Sequence, residues 1–495
     1  MSMTLETMLQ LCIIVPLLAP LGIVATRNNP NLREGVSLVT SLLVLYFVLN
    51  LYEGLGNGET ISLVWWQLLP GLEISFSIEP LGMIFALVAS FLWPITTIYA
   101  IGYMRGHNEE NQTRFYCYFA VAISCVMGIA FAGNLFTLFV FYEVLTLSTY
   151  PLVTHAGTEK AKNGGRVYLG ILLGTSIAFF LLAIVGTWFV SGTLDFTPGG
   201  VFGAEANVTV LSVLLILFVF GIGKAAIMPF HRWLPAAMVA PTPVSALLHA
   251  VAVVKAGVFT VLKVCVYIFG IDLLSILPST QALAYLAGAT IILSSIVAMR
   301  QDNLKARLAY STVSQLGYIT LGALLASSMG VVGGAMHIAT HAFGKITLFF
   351  CAGAILVAAH KSKVSEMRGL GRYMPITMAA FLIASLSIIG LPPTGGTWSK
   401  WYLLLGTLET HQWVLMGVLM MSSLLNIAYL LPIPIRAFFP GGEAVPDKVP
   451  MKEAPLPSLI ALSITTAGCV VLFFYPQPLY ELAKAILETP VIVHG

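Results

Sequence analysis

Charged residues are scarce in this chain. Of its 495 residues only 9% are Asp, Glu, Lys or Arg, and 58% are hydrophobic, whereas an average soluble domain carries about 25% charged residues. This scarcity excludes a soluble globular protein and indicates a polytopic membrane protein. The first hydrophobic run, from about Met8 to Ala25, has no basic stretch before it and is followed by Arg27 and Arg33. We therefore expect a retained membrane helix there rather than a cleaved signal peptide.

The chain also lacks the sequence patterns of metal, cofactor and nucleic-acid sites. Its six cysteines lie mostly in apolar runs and form no CxxC pair, which excludes the usual zinc and iron–sulfur motifs and predicts thiols packed between helices. The net charge is only +3, and the basic residues are dispersed over short loops, which argues against nucleic acid as a partner. The sequence therefore predicts no cofactor carried by this chain.

Long apolar runs dominate what is present. A helix needs about 20 apolar residues to cross the hydrocarbon core of a bilayer, and fourteen windows meet this requirement. They predict an all-α polytopic membrane protein with about 14 transmembrane helices, followed by a short amphipathic tail from Pro478 to Leu487. The predicted spans cover residues 8–26, 35–53, 78–103, 115–132, 134–154, 166–190, 207–231, 242–268, 276–299, 307–326, 331–358, 375–404, 412–435 and 456–476.

The distribution of Lys and Arg over the loops predicts the orientation. Eighteen of the 24 basic residues fall in odd-numbered loops, and the even-numbered loops, such as those at residues 52–77 and 191–208, contain none. Because cytoplasmic loops are enriched in Lys and Arg, we expect the odd-numbered loops in the cytoplasm and both termini outside. The chain is thus predicted to be a multi-pass protein of the cell (inner or plasma) membrane.

Glycine and proline interrupt two of the predicted spans. The seventh contains Gly221, Gly223 and Pro229, and the twelfth contains the run Leu391-Pro-Pro-Thr-Gly-Gly396. Spans four to eight and spans nine to thirteen form two groups of five, and each interrupted span is the fourth of its group. Because each group has an odd number of spans, the second group starts on the opposite side of the membrane and runs in the opposite direction. Interrupted helices at matching places in inverted repeats indicate a transport site near the middle of the membrane. The predicted division is 1–114 for helices 1–3, 115–268 for the first bundle, 269–436 for the second, inverted bundle, and 437–495 for the last helix and tail.

Five lysines lie within the predicted spans, and one acidic residue lies in the middle of a span. A charged side chain at the bilayer centre costs roughly 2.5–3.5 kcal/mol on insertion scales, so such a residue indicates a function. Lys263 lies near the outer end of its helix, and we expect its ammonium to snorkel to the interface. The other charged residues within the spans have no such explanation, and they are Glu143, Lys224, Lys255, Lys345 and Lys400.

Glu143 is the only acidic residue in the middle of a predicted span. A carboxylate there remains ionised only beside a cation, and Lys224 in the interrupted seventh span is the natural partner. A static ion pair that fixes helix packing is the alternative. Because replacing a buried ion pair with apolar residues is often neutral or stabilising, a retained pair needs a reason beyond stability.

Three ionisable residues recur every four positions in the eleventh span. The three residues are His337, His341 and Lys345. Each one is rotated by only about 40° around the helix axis relative to the one before it, so they line one face of a helix over about 12 Å. Histidine titrates near pH 6.5, and such a row predicts a proton relay. The alternatives are hydrogen-bonded packing and a metal site with HxxxH spacing, although no Glu or Cys lies nearby on that helix.

His249 and Lys255 are six residues apart in the eighth span. They are separated by about 120° around a helix and are predicted to face a shared aqueous passage from two sides. A histidine hydrogen-bonded within helix packing is the alternative for His249.

Five stretches resemble the antiporter-like subunits shared by respiratory complex I, membrane-bound hydrogenases and Mrp-type multisubunit cation/proton antiporters. They are FVFYE ending at Glu143, GKAAIMPFHRWLPAAMVAPTPVSALLHA from Gly223, LAYSTVSQLGY from Leu308, HIATHAFGKITLFF from His337 and GLPPTGGTWSKW ending at Trp401. The resemblance implies a fourteen-helix fold with two inverted five-helix bundles, each with a broken helix. Lysine at position 400 and the short segment after the fourteenth span are similar to the D-type subunit of Mrp antiporters or a hydrogenase-type relative.

The same resemblance implies a role for each matching residue. Glu143 would be the acid that pairs with Lys224 and modulates its protonation, and Lys400 would be the terminal group of the second bundle. The other members would form a central hydrophilic axis, made of Lys255 with His249 and of Lys345 with His337 and His341.

Together these features predict the proton-translocating subunit of a multisubunit monovalent cation (Na⁺)/H⁺ antiporter, with other membrane subunits as partners and no catalytic residue of its own. The alternative is a proton-pumping membrane subunit of an NADH:quinone oxidoreductase or membrane-bound hydrogenase, because the redox groups of such a complex would lie on other subunits. A purely structural scaffold is a third hypothesis. It predicts that Lys224, Lys345 and Lys400 tolerate replacement by leucine.

Overall fold

The computed structural model describes residues 3–203, 205–440 and 451–488. Parts of the predicted segment 437–495, namely residues 441–450 and 489–495, lie outside the described residues, and so do residues 1 and 2. The prediction that both termini lie outside therefore concerns chain ends beyond the described range. The N-terminal part consists of α1 (Leu5–Ala25), α2 (Pro30–Gly56), β1 (Ser62–Leu69), β2 (Leu72–Ser77) and α3 (Pro80–Gly106).

Side-chain caps begin these three helices. Oxygens of Thr4, Asn29 and Glu79 accept hydrogen bonds from backbone N–H groups in the first turns of α1, α2 and α3. The first N–H groups of a helix have no partner within it, and a capping oxygen of this kind stabilises a helix by about 1 kcal/mol. The caps therefore fix where the membrane helices start.

The hairpin of β1 and β2 is missing from the sequence-based prediction. The strands pair antiparallel from Ser62 opposite Ser77 to Leu69 opposite Leu72, and the connecting Gly71 has a φ of +78°, a turn conformation that glycine adopts without steric penalty. Most side chains of β1 are apolar, yet seven of its eight residues are exposed. The strand therefore lacks the alternation of apolar and polar residues that identifies a half-buried strand.

The next helices form the first bundle. A π-helical turn, Ser176–Phe180, joins the two helices of the sixth span, and a second one, Leu247–Val251, interrupts the eighth. Such turns are frequent at functional sites. The helices are α4 (Gln112–Ala130), α5 (Leu135–Val153), α6 (Glu159–Thr175), α7 (Leu181–Ser191), α8 (Val208–Gly221), α9 (Trp233–Ala236), α10 (Thr242–Ala246) and α11 (Val253–Val264).

The second bundle and the C-terminal helices follow. A long helix of 32 residues stands at the centre of this half and packs against several of its neighbours. The helices are α12 (Ile271–Ile276), α13 (Pro278–Arg300), α14 (Leu304–Leu324), α15 (Ser328–Ala359), α16 (Leu370–Tyr373), α17 (Pro375–Ile389), α18 (Gly396–Glu409), α19 (Trp413–Leu430), α20 (Pro432–Phe438), α21 (Leu456–Phe474) and α22 (Gln477–Glu488).

Every predicted span coincides with a helix or a set of consecutive helices, so the polytopic all-α fold is confirmed. Among the described residues, eleven segments are long and apolar enough to cross a membrane. The two spans predicted to be interrupted contain the shorter apolar helices Val208–Gly221 and Pro375–Ile389. The predicted amphipathic tail is α22, which packs against α3 and α15.

Short backbone pairings identify the two ends of the helix array. Phe76 pairs with Ala132, and Asn134 pairs with Asp195, so β2 and the segments that follow α4 and α7 meet at the hairpin. We call this end the hairpin side. The helices cross alternately from there, so α8 runs away from the hairpin side whereas α17 runs towards it. The two interrupted helices thus cross in opposite directions.

Lys263 does not snorkel to the interface, and that prediction is wrong. Its side chain is fully buried, with the ammonium 3.1 Å from Glu79 Oε1 and donating to the Ala132 carbonyl oxygen at 2.9 Å. The Tyr267 hydroxyl donates to Oε2 of the same carboxylate at 2.9 Å. Because Glu79 caps α3 at the hairpin side, the lysine finds a counter-ion inside the protein.

Breaking this ion pair is expected to destabilise the protein strongly. Lys263→Met leaves the Glu79 carboxylate, whose side chain is only 12% exposed, without its cation, and removing one partner of a buried pair costs about 3–5 kcal/mol. Thermal unfolding in detergent, followed by labelling of buried cysteines such as Cys265 and Cys351, measures the loss. Lys263→Arg keeps a cation and is the control. Equal midpoints for Lys263→Met and the unmodified protein would contradict the prediction.

Candidate functional site

The first interruption positions Lys224. Helix α8 ends at Gly221, a 3₁₀ turn covers Gly223–Ala225, and Ala226 has the left-handed φ of +55°. An interrupted helix frees backbone carbonyls, which must find partners inside a membrane. The Gly223 carbonyl oxygen accepts from the Ala226 N–H of the 3₁₀ turn at 3.0 Å and also from the indole N–H of Trp233 at 2.9 Å. The break is therefore held in place and carries the lysine into the interior.

The ammonium of Lys224 is bound by α5. It donates to the Tyr142 carbonyl oxygen at 2.9 Å and to the Thr146 hydroxyl at 2.6 Å, and it lies 3.1 Å from the centroid of the Tyr142 ring. The side chain is fully buried. A neutral carbonyl, a hydroxyl and an aromatic face thus replace the water that an ammonium has in solution.

The predicted direct ion pair between Glu143 and Lys224 is not formed. Among the described residues Glu143 has no ion-pair partner, and its Oε1 is buried without a hydrogen-bond partner. The residue is half-buried beside the exposed Val144 and Leu147, because α5 turns this side chain away from the face that holds Tyr142 and Thr146. Glu143 still lies within Coulombic range of Lys224.

Close backbone packing fixes the first interruption against α11. A Cβ added to Gly257 would lie 2.3 Å from both Ala225 N and Lys224 C, a distance that side-chain carbons do not reach. The absence of a side chain at Gly257, two residues after Lys255, therefore lets α11 lie directly on the backbone of Lys224.

Gly257→Ala is expected to lower the free energy of unfolding by about 1–3 kcal/mol, the usual cost of overpacking. The reason is that backbone atoms, which cannot rotate away, block the added methyl group. Gly170→Ala is the matched control, because a Cβ at Gly170 meets nothing within 4 Å. Thermal unfolding midpoints of the two variants give the comparison, and indistinguishable midpoints would refute the expected clash.

Lys255 and His341 meet at the centre of the molecule. The Lys255 ammonium lies 2.5 Å from His341 Nδ1, and neither side chain is more than 1% exposed. His249 is fully buried in the π-helical turn, its ring centroid is 4.7 Å from that of Phe349, and neither ring nitrogen has a partner among the described residues. The alternative for His249, a histidine hydrogen-bonded within helix packing, is therefore not seen among the described protein atoms.

The three ionisable residues of α15 contact different neighbours. His341 meets Lys255, whereas His337 is bonded to Ser399 through Nδ1 at 2.8 Å and to Gln315 through Nε2 at 3.1 Å. Lys345 donates to the Ser311 hydroxyl at 2.6 Å. The two imidazole rings stack with centroids 5.7 Å apart. The row has the predicted spacing, but its lysine faces α14.

The second interruption positions Lys400 in a similar way. Helix α17 ends at Ile389, Gly390 has a φ of +89°, and α18 begins at Gly396. The Lys400 ammonium donates to the Ile389 carbonyl oxygen at 3.0 Å and to Ser423 at 3.2 Å. A cation at the C-terminal end of a helix is favoured by the helix dipole, so the freed carbonyl and the lysine stabilise each other.

Several neutral residues of the site were not predicted. They bind the lysines and histidines directly, and they are Tyr142, Thr146, Ser311, Gln315, Tyr318, Ser399 and Ser423. The signal was present in α14, where Ser311, Gln315 and Tyr318 recur with the spacing of one helix face. A search for hydroxyl and amide side chains at i, i+4 and i+7 inside apolar spans would have found them.

The site contains four lysines and three histidines but one carboxylate. All seven nitrogen-bearing side chains are buried, and like charges repel strongly where the dielectric constant is low. The free energy of adding a proton to one of them therefore depends on whether its neighbours already carry one. Such a row can pass protons on, since each amine or imidazole accepts a proton in its neutral form and donates it in its charged form.

Family profiles match most of the chain. The profile described as NADH:quinone oxidoreductase/Mrp antiporter, TM covers residues 132–426, and that described as NADH-Ubiquinone oxidoreductase (complex I), chain 5 N-terminus covers residues 66–116. The first contains all eight predicted site residues.

Individual relatives agree with the profiles. NADH-quinone oxidoreductase subunit N of Desulforudis audaxviator is 32% identical over 484 residues, which cover 94% of this chain and 95% of that protein. NAD(P)H-quinone oxidoreductase chain 5 of Synechocystis sp. is 32% identical over 346 residues, 66% of this chain and 49% of the relative. The chain thus spans about half the length of the chain 5 relatives that it matches.

Two solved structures share the fold at 23% sequence identity. A chain in the structure of the Mrp complex from Dietzia sp. DQ12-45-1b superposes with a TM-score of 0.86, covering 98% of this chain and 97% of that chain. A chain in the membrane-bound sulfane sulfur reductase, an archaeal respiratory membrane complex, superposes with a TM-score of 0.84 over 97% of each chain.

Proposed function

The chain belongs to the family of membrane subunits shared by NADH:quinone oxidoreductases and Mrp antiporters, and we propose that it translocates protons in a multisubunit Na⁺/H⁺ antiporter. The observation that carries the proposal is the contact between Lys255 and His341, which joins the two bundles at the centre of a row of buried amines and imidazoles. Ionisable side chains at such depth are costly, and their usual role is in proton or ion pathways.

In the proposed mechanism a proton moves along the row by successive changes of protonation. It reaches Lys224 in the first bundle, passes to Lys255 and then to His341, and continues through His337 or Lys345 towards Lys400. One elementary charge crossing 100 mV is worth about 2.3 kcal/mol. A change in the proton affinity of one amine by a single pKa unit is worth about 1.4 kcal/mol, so modest changes can couple the row to the membrane potential.

Glu143 acts on this row from its edge. Its carboxylate is half-buried and separate from the direct ligands of Lys224, yet within Coulombic range of that lysine. In the proposed mechanism its charge favours the protonated form of Lys224, and loss of the charge favours release of the proton to Lys255. A cation that binds near Glu143 would have the same effect as loss of the charge.

The type of subunit and its orientation are part of the proposal. Lysine at position 400 and the fold shared with a chain of the Dietzia Mrp complex support the D-type subunit of an Mrp antiporter or a similar chain. The excess of Lys and Arg in the odd-numbered loops supports a cytoplasmic location for the side opposite the hairpin side, with both termini outside. The division at residues 114, 268 and 436 follows from the two groups of five spans.

The second candidate function is that of a proton-pumping subunit in a redox-driven complex. The observation that favours it is the 32% identity with NADH-quinone oxidoreductase subunit N over almost the entire length of both chains. In that case the same row would carry protons, and electron transfer in other subunits would drive them.

Ion exchange without an electron donor distinguishes the two functions. The native complex is purified, its subunits are identified, and it is reconstituted into vesicles that contain a pH-sensitive dye. A Na⁺ gradient is then imposed in the absence of NADH, quinone and other redox partners. An antiporter produces a pH change with Na⁺ and none with choline. No change with Na⁺, but a change on adding a reductant and quinone, would replace the proposal with the redox-driven pump.

A further inference from the structure

We infer that Ser399 is a positioning residue whose hydroxyl group turns to follow the protonation of His337. It donates to the neutral imidazole and accepts from the imidazolium. This inference rests on the proposed function, since it concerns how one member of the same row takes up and releases its proton. The hydroxyl and the imidazole lie where the first turn of α18 packs against α15, with α14 on the other side of α15.

Three polar groups surround the Ser399 hydroxyl. Its oxygen lies 2.8 Å from His337 Nδ1, 3.0 Å from the Thr340 hydroxyl oxygen and 3.2 Å from the carbonyl oxygen of Gly396. The side chains of Ser399, His337 and Thr340 are all buried. A serine hydroxyl has one proton to donate and two lone pairs that accept. The same three distances therefore allow more than one arrangement of the hydroxyl proton.

Gln315 determines which nitrogen of His337 gains and loses the proton. His337 Nε2 lies 3.1 Å from Gln315 Oε1. An amide oxygen only accepts hydrogen bonds, so Nε2 carries a proton in the neutral ring as well as in the charged one. Nδ1 is therefore the nitrogen whose protonation changes, and the group that faces Nδ1 is the Ser399 hydroxyl.

Two arrangements of the Ser399 hydroxyl satisfy the two forms of the ring. With neutral His337, Ser399 donates to Nδ1 and its oxygen accepts from the Thr340 hydroxyl. With protonated His337, Nδ1–H donates to the Ser399 oxygen, Thr340 still donates to it, and the serine proton turns to the Gly396 carbonyl oxygen. Every donor around Nδ1 then has an acceptor in both states. Ser399 keeps its own proton throughout, so it positions the transferred proton and does not carry it.

The imidazole ring itself has little freedom to respond to a change of protonation. It stacks with the rings of Tyr318 and His341 at centroid distances of 5.6 Å and 5.7 Å and at interplanar angles of 26° and 27°. Gln315 binds its other nitrogen. A hydroxyl proton, in contrast, turns by rotation about one C–O bond and moves no heavy atom. The adjustment to each protonation state therefore falls on Ser399.

Close packing fixes the backbone that carries this hydroxyl. The indole N–H of Trp398 donates to the Phe473 carbonyl oxygen of α21 at 2.9 Å. A Cβ added to Gly396 would lie 1.8 Å from the Ser387 carbonyl oxygen, so the first turn of α18 lies directly on α17. Ser399 is therefore held at a fixed distance from each of its partners, whichever of them its proton faces.

The charges around His337 make these hydrogen bonds important. The ionisable side chains that face it are His341 on its own helix, Lys255 on α11, Lys400 on α18 and Tyr318 on α14. None of them is a carboxylate, so within the described residues the imidazolium has no counter-ion. Its two N–H groups depend on neutral acceptors, and an unbonded N–H on a buried charged ring is costly. The Ser399 hydroxyl supplies the acceptor at Nδ1.

Ser399→Ala in the reconstituted complex tests the inference. The variant leaves Nδ1–H of protonated His337 without an acceptor, so the Na⁺-driven proton flux is expected to fall about threefold, with the remainder passing through Lys345. The second arm combines Ser399→Ala with His337→Gln. If Ser399 acts through His337, the double variant has the flux of His337→Gln alone. Ser385→Ala is the matched control, because its buried hydroxyl donates to the Phe381 carbonyl oxygen of its own helix at 2.7 Å, and it is expected to leave the flux unchanged.

Three outcomes would overturn the inference. The first is full flux in Ser399→Ala. The second is a further loss of the same size when Ser399→Ala is added to His337→Gln, which indicates a structural role only. The third is an equal loss in Ser385→Ala. If Ser399→Ala does not assemble, Ser399→Cys, whose thiol is a weak donor and a weak acceptor, takes its place with the same expectations. Failure of the proposed function is distinguishable, since the unmodified complex would then show no Na⁺-driven flux at all.

Discussion

Lys224→Met is expected to lower proton flux through the reconstituted complex on the order of 100-fold, the loss typical when a proton-transferring group is removed. Methionine has a similar length and no charge, so it fills the space between Tyr142 and Thr146 without offering a site for a proton. Because Lys224 is the only amine in the interruption of α8, no neighbouring group at the break can replace it. The pH change driven by Na⁺ in dye-loaded vesicles measures the flux.

Lys162→Met is the matched control for this variant. Its side chain is 51% exposed and paired with Glu159 at 2.8 Å, so the same substitution there alters only the surface and should leave the flux unchanged. The amount of assembled complex, compared between the two variants, separates loss of transport from loss of protein. Full flux in Lys224→Met would exclude the row as the proton path and favour a structural scaffold.

Lys255→Met is expected to reduce the flux by a similar factor, again on the order of 100-fold. Its ammonium is the group that contacts His341 Nδ1 across the boundary between the two bundles. His337, Lys345 and Lys400 all lie beyond this contact in the proposed row, so its loss should interrupt transfer to all of them at once. This is the reason for expecting a larger effect than from removing His337 alone, since Lys345 could still pass the proton on.

Thr260→Val provides a control on the same helix. The Thr260 hydroxyl is buried and donates to the Ala256 carbonyl oxygen of its own helix at 2.6 Å, and valine has nearly the same shape. A flux in Lys255→Met equal to that in Thr260→Val would contradict the central position of Lys255. Measurement at several Na⁺ concentrations shows whether the loss lies in transport itself or in the affinity for Na⁺.

The transmembrane helices could be predicted because their cause is local. A run of about 20 apolar residues is long enough to span the hydrocarbon core. The length and the apolar composition of such a run do not depend on the rest of the chain. The interruptions near Gly221 and Gly396 were predictable for the same reason. The hairpin Ser62–Ser77 was not, because its apolar exposed strand resembles neither a membrane helix nor a half-buried strand.

The ionisable residues of the site could be predicted because a charged side chain inside the membrane has a high free-energy cost. Their hydrogen-bond partners could not be predicted. A lysine inside an apolar run is conspicuous in any sequence, whereas the bond from Lys345 to Ser311 depends on how α14 is rotated against α15. The same dependence explains the two errors. Rotation of α5 directs Glu143 away from Lys224, and the position of Glu79 at the start of α3 gives Lys263 a partner that the sequence places 184 residues away.

The segment Thr242–Phe269, which carries His249 and Lys255, is buried along its entire membrane-crossing length. Helices such as α1, α2 and α19 instead expose large apolar side chains. A change in bilayer thickness costs fractions of a kcal/mol per Å for a helix that touches lipid. That cost falls on the exposed helices and reaches Lys255 only through the residues packed around it. The centre of the molecule is therefore insulated from lipid composition, and bilayers of different acyl-chain length present the same surroundings to Lys255.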